Sequence, residues 1–169
     1  MSASSQRGAY STAGIAGAGA GTLASIVQVL VGWLIDWLFL PPGHDNNIAP
    51  RLVDRSVRKA GGRPNPVLSW LLGTGFHLGY GVSWGIAYGL LRRWSRAPVP
   101  LLTAFVTWLI YLVGFSGIGV GTHTGTEQHP DRRPWQKQVS LVAVDLTFTI
   151  SLALLFDRIA QKDERRAAP

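Results

Sequence analysis

The sequence predicts an all-α polytopic membrane protein, a bundle of four transmembrane helices with a short amphipathic interfacial helix in the first loop. Three observations carry this. The 169 residues are 47% hydrophobic and only 15% charged, against about a quarter charged in a soluble domain. The charges gather at positions 43–65, 92–96, 127–137 and 157–166. Between them lie apolar runs long enough to cross a bilayer, which takes roughly 20 residues per helix. These runs are continuous rather than alternating, so helices fit and barrel strands do not. Residues 1–169 make one integral membrane domain.

The first expected span covers 14–40 and stops at Pro41-Pro42. The sequence before it, with one Arg followed by small residues, resembles a signal peptide. Its apolar part runs on to Leu40 with no small-residue cleavage site after a short core, so a retained first span is expected. The first loop contains "IAPRLVDRSVRKAG", with Ile48, Leu52, Val53 and Val57 on one side of a helix and Arg51, Arg55, Arg58 and Lys59 on the other. Such a helix suits a membrane surface, its cations meeting anionic lipid headgroups. The second span covers 66–91 and ends at Arg92-Arg93, the third covers 99–120 and trails into "GIGVGTHTG", and the fourth covers 135–158 before a charged tail. Trp33, Trp37, Trp70, Trp94 and Trp135 lie near span ends, where aromatic belts sit.

Orientation is finely balanced. The N-terminus, second loop and tail carry eight Lys and Arg, and the first and third loops carry eight. The second loop is the densest, which puts both termini in the cytoplasm. The net charge of +7 fits loops that touch headgroups, and no nucleic-acid-binding motif accompanies it.

Each span carries small and polar residues at steps of three and four, which keep to one helix face. The stripes read Gly17, Gly21, Ser25, Gln28, Gly32, Asp36 in the first span, and Ser69, Gly73, His77, Gly81, Gly85, Gly89 in the second. They continue as Thr103, Thr107, Gly114, Gly117, Gly121 in the third and Asp145, Thr149, Ala153 in the fourth. Small residues let membrane helices approach closely, and the unbroken second stripe makes that helix the expected centre of the bundle.

Asp36 lies on its small stripe, about 6 Å from the Pro41 end at 1.5 Å per residue. Asp145 lies ten residues into the fourth span and His77 eleven into the second, both entering from that same side. Asp36, His77 and Asp145 therefore share one half of the bilayer, with Gln28 and Tyr80 near them. Ionisable groups there cost about 2.5–3.5 kcal/mol and face the interior in partnership. This intramembrane polar cluster either handles a proton, cation or small ligand or simply joins the helices.

A second constellation occupies the loops: His44 and Asp45 in "PPGHDNN", and His123, Glu127, His129 and Asp131 in "GTHTGTEQHPD". His44, His123 and His129 are imidazoles able to ligate a divalent metal, although their spacing matches no established motif. The glycines of "GFSGIGVGTHTG" follow no strand and precede no GK[ST], which excludes a phosphate loop. There is no GxSxG elbow, and without cysteine there is neither a disulfide nor a thiolate site. No cofactor and no catalytic residue is expected.

The small-residue first span running into Pro41-Pro42, the loop with its short helix, and "GFHLGYGVSWGIAYGLL" resemble the YagU-like family of small bacterial inner-membrane proteins. The resemblance covers mainly the first two spans and implies a four-span bundle without an assigned activity. The chain departs from the family pattern at Gly43, where a basic residue is expected, and at Asp145, where a His is expected.

The leading expectation is a non-enzymatic accessory or structural subunit of a bacterial cytoplasmic membrane, packing with itself as a homo-oligomer or within a larger complex. The first alternative is a small channel or proton-coupled transporter component using the Asp/His cluster, and the second is a membrane-embedded metal enzyme.

Overall fold

A computed structural model describes residues 3–40 and 48–167 of the chain. All its regular structure is helical: α1 (Ala3–Phe39), α2 (Ile48–Lys59), α3 (Pro66–Trp94), α4 (Val99–Phe115), α5 (Val120–Thr124), a 3-10 turn at Pro130–Arg132, and α6 (Trp135–Ala167). No strand occurs among the described residues. Three stretches are long and apolar enough to cross a membrane: Tyr10–Phe39, Val99–Thr124 and Trp135–Lys162. α3 is not among them. It has 29 residues, but glycine, serine and aromatic residues dilute its hydropathy.

Local sequence explains most helix ends. Asn65 caps α3 by accepting from the Val67 and Leu68 amides at 3.0 and 3.2 Å, and Pro66 takes the first position. α2 closes at Gly61, whose φ of 80° suits a residue without Cβ. α4 stops earlier than expected, at Phe115 rather than 120. There Gly119 and Gly121 fold the chain so tightly that a Cβ on Gly121 would lie 2.8 Å from the Gly114 carbonyl oxygen. α6 runs past residue 158 because the tail, though charged, contains no helix breaker before Pro169. Pro41-Pro42 and Gly43 lie outside the described residues.

The order of packing is α3, α1, α6, α4: α1 lies against both α3 and α6, and α4 lies against α6. α1, not α3, is therefore the central helix. The reason lies in "AGAGAGTLAS", which carries two small stripes side by side. Gly17, Gly21 and Ser25 face α3, while Ala16, Ala20 and Ala24 are buried in the core with Phe148, Leu152 and Phe156 of α6. The second half of the α3 stripe, Gly81, Gly85 and Gly89, is taken up by this contact. A Cβ on Gly17 or Gly21 would strike the carbonyl oxygen of Gly85 or Gly81, and one on Gly85 would strike that of Gly17. Backbone meets backbone, as small-residue interfaces between membrane helices allow. Early α1 faces late α3, so these two helices are antiparallel.

The connections sort to two ends. At one end Arg51 and Arg55 of α2 reach Glu127 and the Thr124 carbonyl of the α5 region. At the other, Arg92 of α3 lies 3.9 Å from Asp157 of α6. The outer surface is apolar: Leu30, Leu101, Trp108 and Leu154 are all exposed, as are the tryptophans expected at belts, Trp33, Trp37, Trp70, Trp94 and Trp135.

α2 was expected to lay its apolar face on lipid. Part of the helix covers its neighbours: Ala49 is buried and Ile48 and Leu52 line the space between the helices, while Val53 and Val57 are half-buried. Gly73 makes this possible, since a Cβ there would meet the Pro50 nitrogen at 2.7 Å.

Candidate functional site

A cavity of about 320 Å³ lies between the helices at the α2 end. It is bounded by the last third of α1, the start of α2, the first half of α3, the end of α4, α5 and the first half of α6. Asp36, His77, Asp145, Gln28 and Tyr80, the five residues of the polar cluster, all line it. Three helices contribute them: Gln28 and Asp36 come from α1, His77 and Tyr80 from α3, and Asp145 from α6. Helical steps of three and four put the α1 and α3 members on or beside the glycine faces of their helices, and the alanine face of α1 brings α6, which has no glycine, alongside.

The acids differ in their surroundings. Asp36 is half-buried and accepts from Ser140 Oγ of α6 at 3.1 Å. Asp145 is only 2% exposed, and its Oδ2 accepts no hydrogen bond among the described residues. His77 Nε2 is likewise buried without a partner there. Below Asp145, toward the other end, Thr149 donates to the Asp145 carbonyl and meets Thr107 hydroxyl to hydroxyl at 2.6 Å, which ties α6 to α4. Hydrophobic side chains form most of the remaining wall, among them Val29, Trp33, Trp70, Phe76, Ile110 and Leu141.

A second polar centre sits beside the cavity's end. Glu127 is buried and lies 3.2 Å from Arg51, 3.3 Å from Lys137 and 3.9 Å from Arg133. Arg133 also donates to the carbonyls of Gln128 and Phe115 at 2.7 and 3.2 Å. This network joins α2, the α5 loop and α6. Sequence reading noted Glu127 as a loop carboxylate but missed Arg133, Lys137 and Ser140. One signal for Lys137 was available: the buried stripe of α6, read backwards from Asp145 through Leu141 in steps of four, reaches it.

Two of the three loop histidines fall within the described residues. His123 and His129 are exposed, His129 Nδ1 lies 3.2 Å from Asp131, and His44 is outside the described residues. Among the described residues no group of three or more His, Asp or Glu side chains is arranged to hold a metal ion. Of the basic residues expected to meet lipid headgroups, Arg51 and Arg55 turn to the α5 region, while Arg58 and Lys59 stay exposed.

The chain matches no known protein family, no curated protein and no solved structure at a significant level.

Proposed function

We propose that this chain is a four-span protein of a bacterial cytoplasmic membrane whose cavity, through its Asp/His cluster, handles a proton or cation, as a small channel or proton-coupled transporter component. The observation that supports this most is Asp145, only 2% exposed on a cavity wall with an oxygen that no described group satisfies. A residue that only joined helices would be expected to have its partner in place. The glycine stripes on which an accessory subunit's interface would rest are largely occupied within the chain.

Two features support α3 as the fourth span. Its 29 residues extend roughly 43 Å, more than the ~30 Å hydrocarbon core. It also runs antiparallel along α1, a stretch apolar enough to cross. The eight-to-eight tie in cations tips toward termini on the cytoplasmic side once Arg133 and Lys137 of the opposite end, buried against Glu127, are set aside.

Proton flux into liposomes under an imposed potential tests the reading. Wild-type protein is expected to acidify the lumen faster than empty liposomes, with Asp145→Asn returning the rate to background and His77→Ala lowering it. Unchanged flux in both variants overturns the reading.

One observation favours a second reading, a packing subunit that associates with its own copies. Gly75, Gly79 and Ser83 form another four-step stripe on the outer face of α3, and a Cβ on either glycine would meet nothing within 4 Å. Native mass spectrometry from mild detergent is expected to show an oligomer that Gly79→Leu disperses, and a wild-type monomer removes this reading.

A further inference from the structure

Resting on the reading of the cavity as a ligand or ion site, we propose that it binds a monovalent organic cation with an apolar body, held against Asp145 between aromatic walls.

Charge decides the sign. The chain has 16 Lys and Arg, yet none of them lines the cavity among the described residues. Its titratable lining is Asp36 from α1, His77 and Tyr80 from α3 and Asp145 from α6, while α2, α4 and α5 contribute none. The fixed charge available to a ligand is therefore that of two carboxyl groups. Asp36 already accepts from Ser140. Asp145 keeps one buried oxygen with no described partner, and in a low-dielectric wall an unpaired carboxylate strongly favours a nearby cation.

The wall decides the chemical class. A hard divalent ion takes about six or more oxygen ligands. Here the polar atoms are few and scattered among Val, Leu, Ile and aromatic side chains. Trp33, Trp70, Phe76 and Tyr80 all border the space. Aromatic faces attract ammonium and phosphonium-type cations that shed water easily. The volume, about 320 Å³, is at the small end of the ~300–1,000 Å³ typical of small-molecule sites.

The approach route also suits an amphiphile. The backbones of α3 and α4 scarcely meet, and the cavity occupies the space between them. Phe76 and Val113, which edge it, are both exposed on the outer surface. A lipophilic cation dissolved in the membrane would enter sideways.

The test uses the full chain in phosphatidylglycerol nanodiscs, whose headgroups bear no organic cation. The probe is methyltriphenylphosphonium, and the control is its anionic isostere methyltriphenylborate. Binding is read by calorimetry and by quenching of tryptophan fluorescence. Saturable binding of the cation is expected, weakened about tenfold or more by Asp145→Asn, with the borate failing to saturate. Equal binding of both ions, or cation binding indifferent to Asp145→Asn, overturns the proposal. Should the variant fail to fold, the wild type decides: a proton and a cation compete for the same carboxyl group, so lowering pH must weaken cation binding, and pH-independent affinity refutes it. Proton flux that depends on Asp145 without saturable cation binding ends this ligand class and keeps the site. Loss of both ends both.

Discussion

At Glu127 a single buried carboxylate faces three cations, and two of these, Arg133 and Lys137, are themselves at most 9% exposed. Removing the charge at the centre of a buried ionic group costs about 3–5 kcal/mol. Glu127→Gln is therefore expected to lower stability in detergent by about 3–5 kcal/mol, read from chemical unfolding. Arg51→Ala, whose side chain is 42% exposed, should cost less than about 1 kcal/mol. Equal effects of the two would show that burial is not what gives this network its weight. Sequence could reach the cavity residues more easily than this network. Asp36, His77 and Asp145 stand out because charge is rare in apolar runs, and helical period plus depth place them together. Arg51 and Glu127 are 76 positions apart on loop-side elements, and no periodicity connects such residues. The aromatic walls were equally hard to foresee, since Trp33 and Trp70 read first as belt residues and only the folded chain places them at a cavity edge.

The α1–α3 contact makes a sharp prediction for elements, because one substitution can be placed on either face of the same helix pair. Gly21→Ala puts a methyl against the Gly81 carbonyl oxygen, whereas Gly79→Ala points into open space. The first should destabilise by about 1–3 kcal/mol or more, the range for overpacking, and the second should stay within about 0.5 kcal/mol. Thermal unfolding in detergent separates them, and matching melting temperatures would mean the helices do not touch along this seam. Stripes of this kind are legible as stripes. Which stripe meets which is not, because the spacing rule carries no partner label. The α3 glycines gave that helix the expected central place, yet α1 took it, because its alanine face packs on Phe148, Leu152 and Phe156 of α6 while the second small stripe of α3 faces outward. The end of α4 was misjudged for a related reason: glycines compatible with a continuing membrane helix also permit a tight fold-back, and Ser116 to Gly121 take the latter.

For the whole molecule the open choice is whether three or four helices cross. The chain has no cysteine, so introduced thiols report topology directly. With four spans, Ser56→Cys and Gln128→Cys should react with an impermeant maleimide from one side of the membrane and Ser95→Cys from the other. Reaction of Ser56→Cys and Ser95→Cys from the same side would remove α3 as a span. The all-helical class was plain in the sequence because lipid demands internally satisfied backbone over roughly 20 residues at a time, and that demand writes itself in composition. The position of α2 was less plain, since an amphipathic helix presents the same pattern whether its apolar side rests on lipid or on protein. Here the missing side chain of Gly73 admits it to protein.

The two-sided character of α1 also bears on biogenesis. Synthesis proceeds from the N-terminus, so α3 leaves the ribosome well before α6. The glycine face of α1 can be matched as a hairpin while its alanine face still waits for a mate. Until α6 arrives, Asp36 has no Ser140 to accept from and Asp145 has not been made, so the chamber comes into being only when α6 docks. A chain interrupted before that moment would carry paired helices and an open, half-built interior, the form a quality-control protease would be expected to recognise.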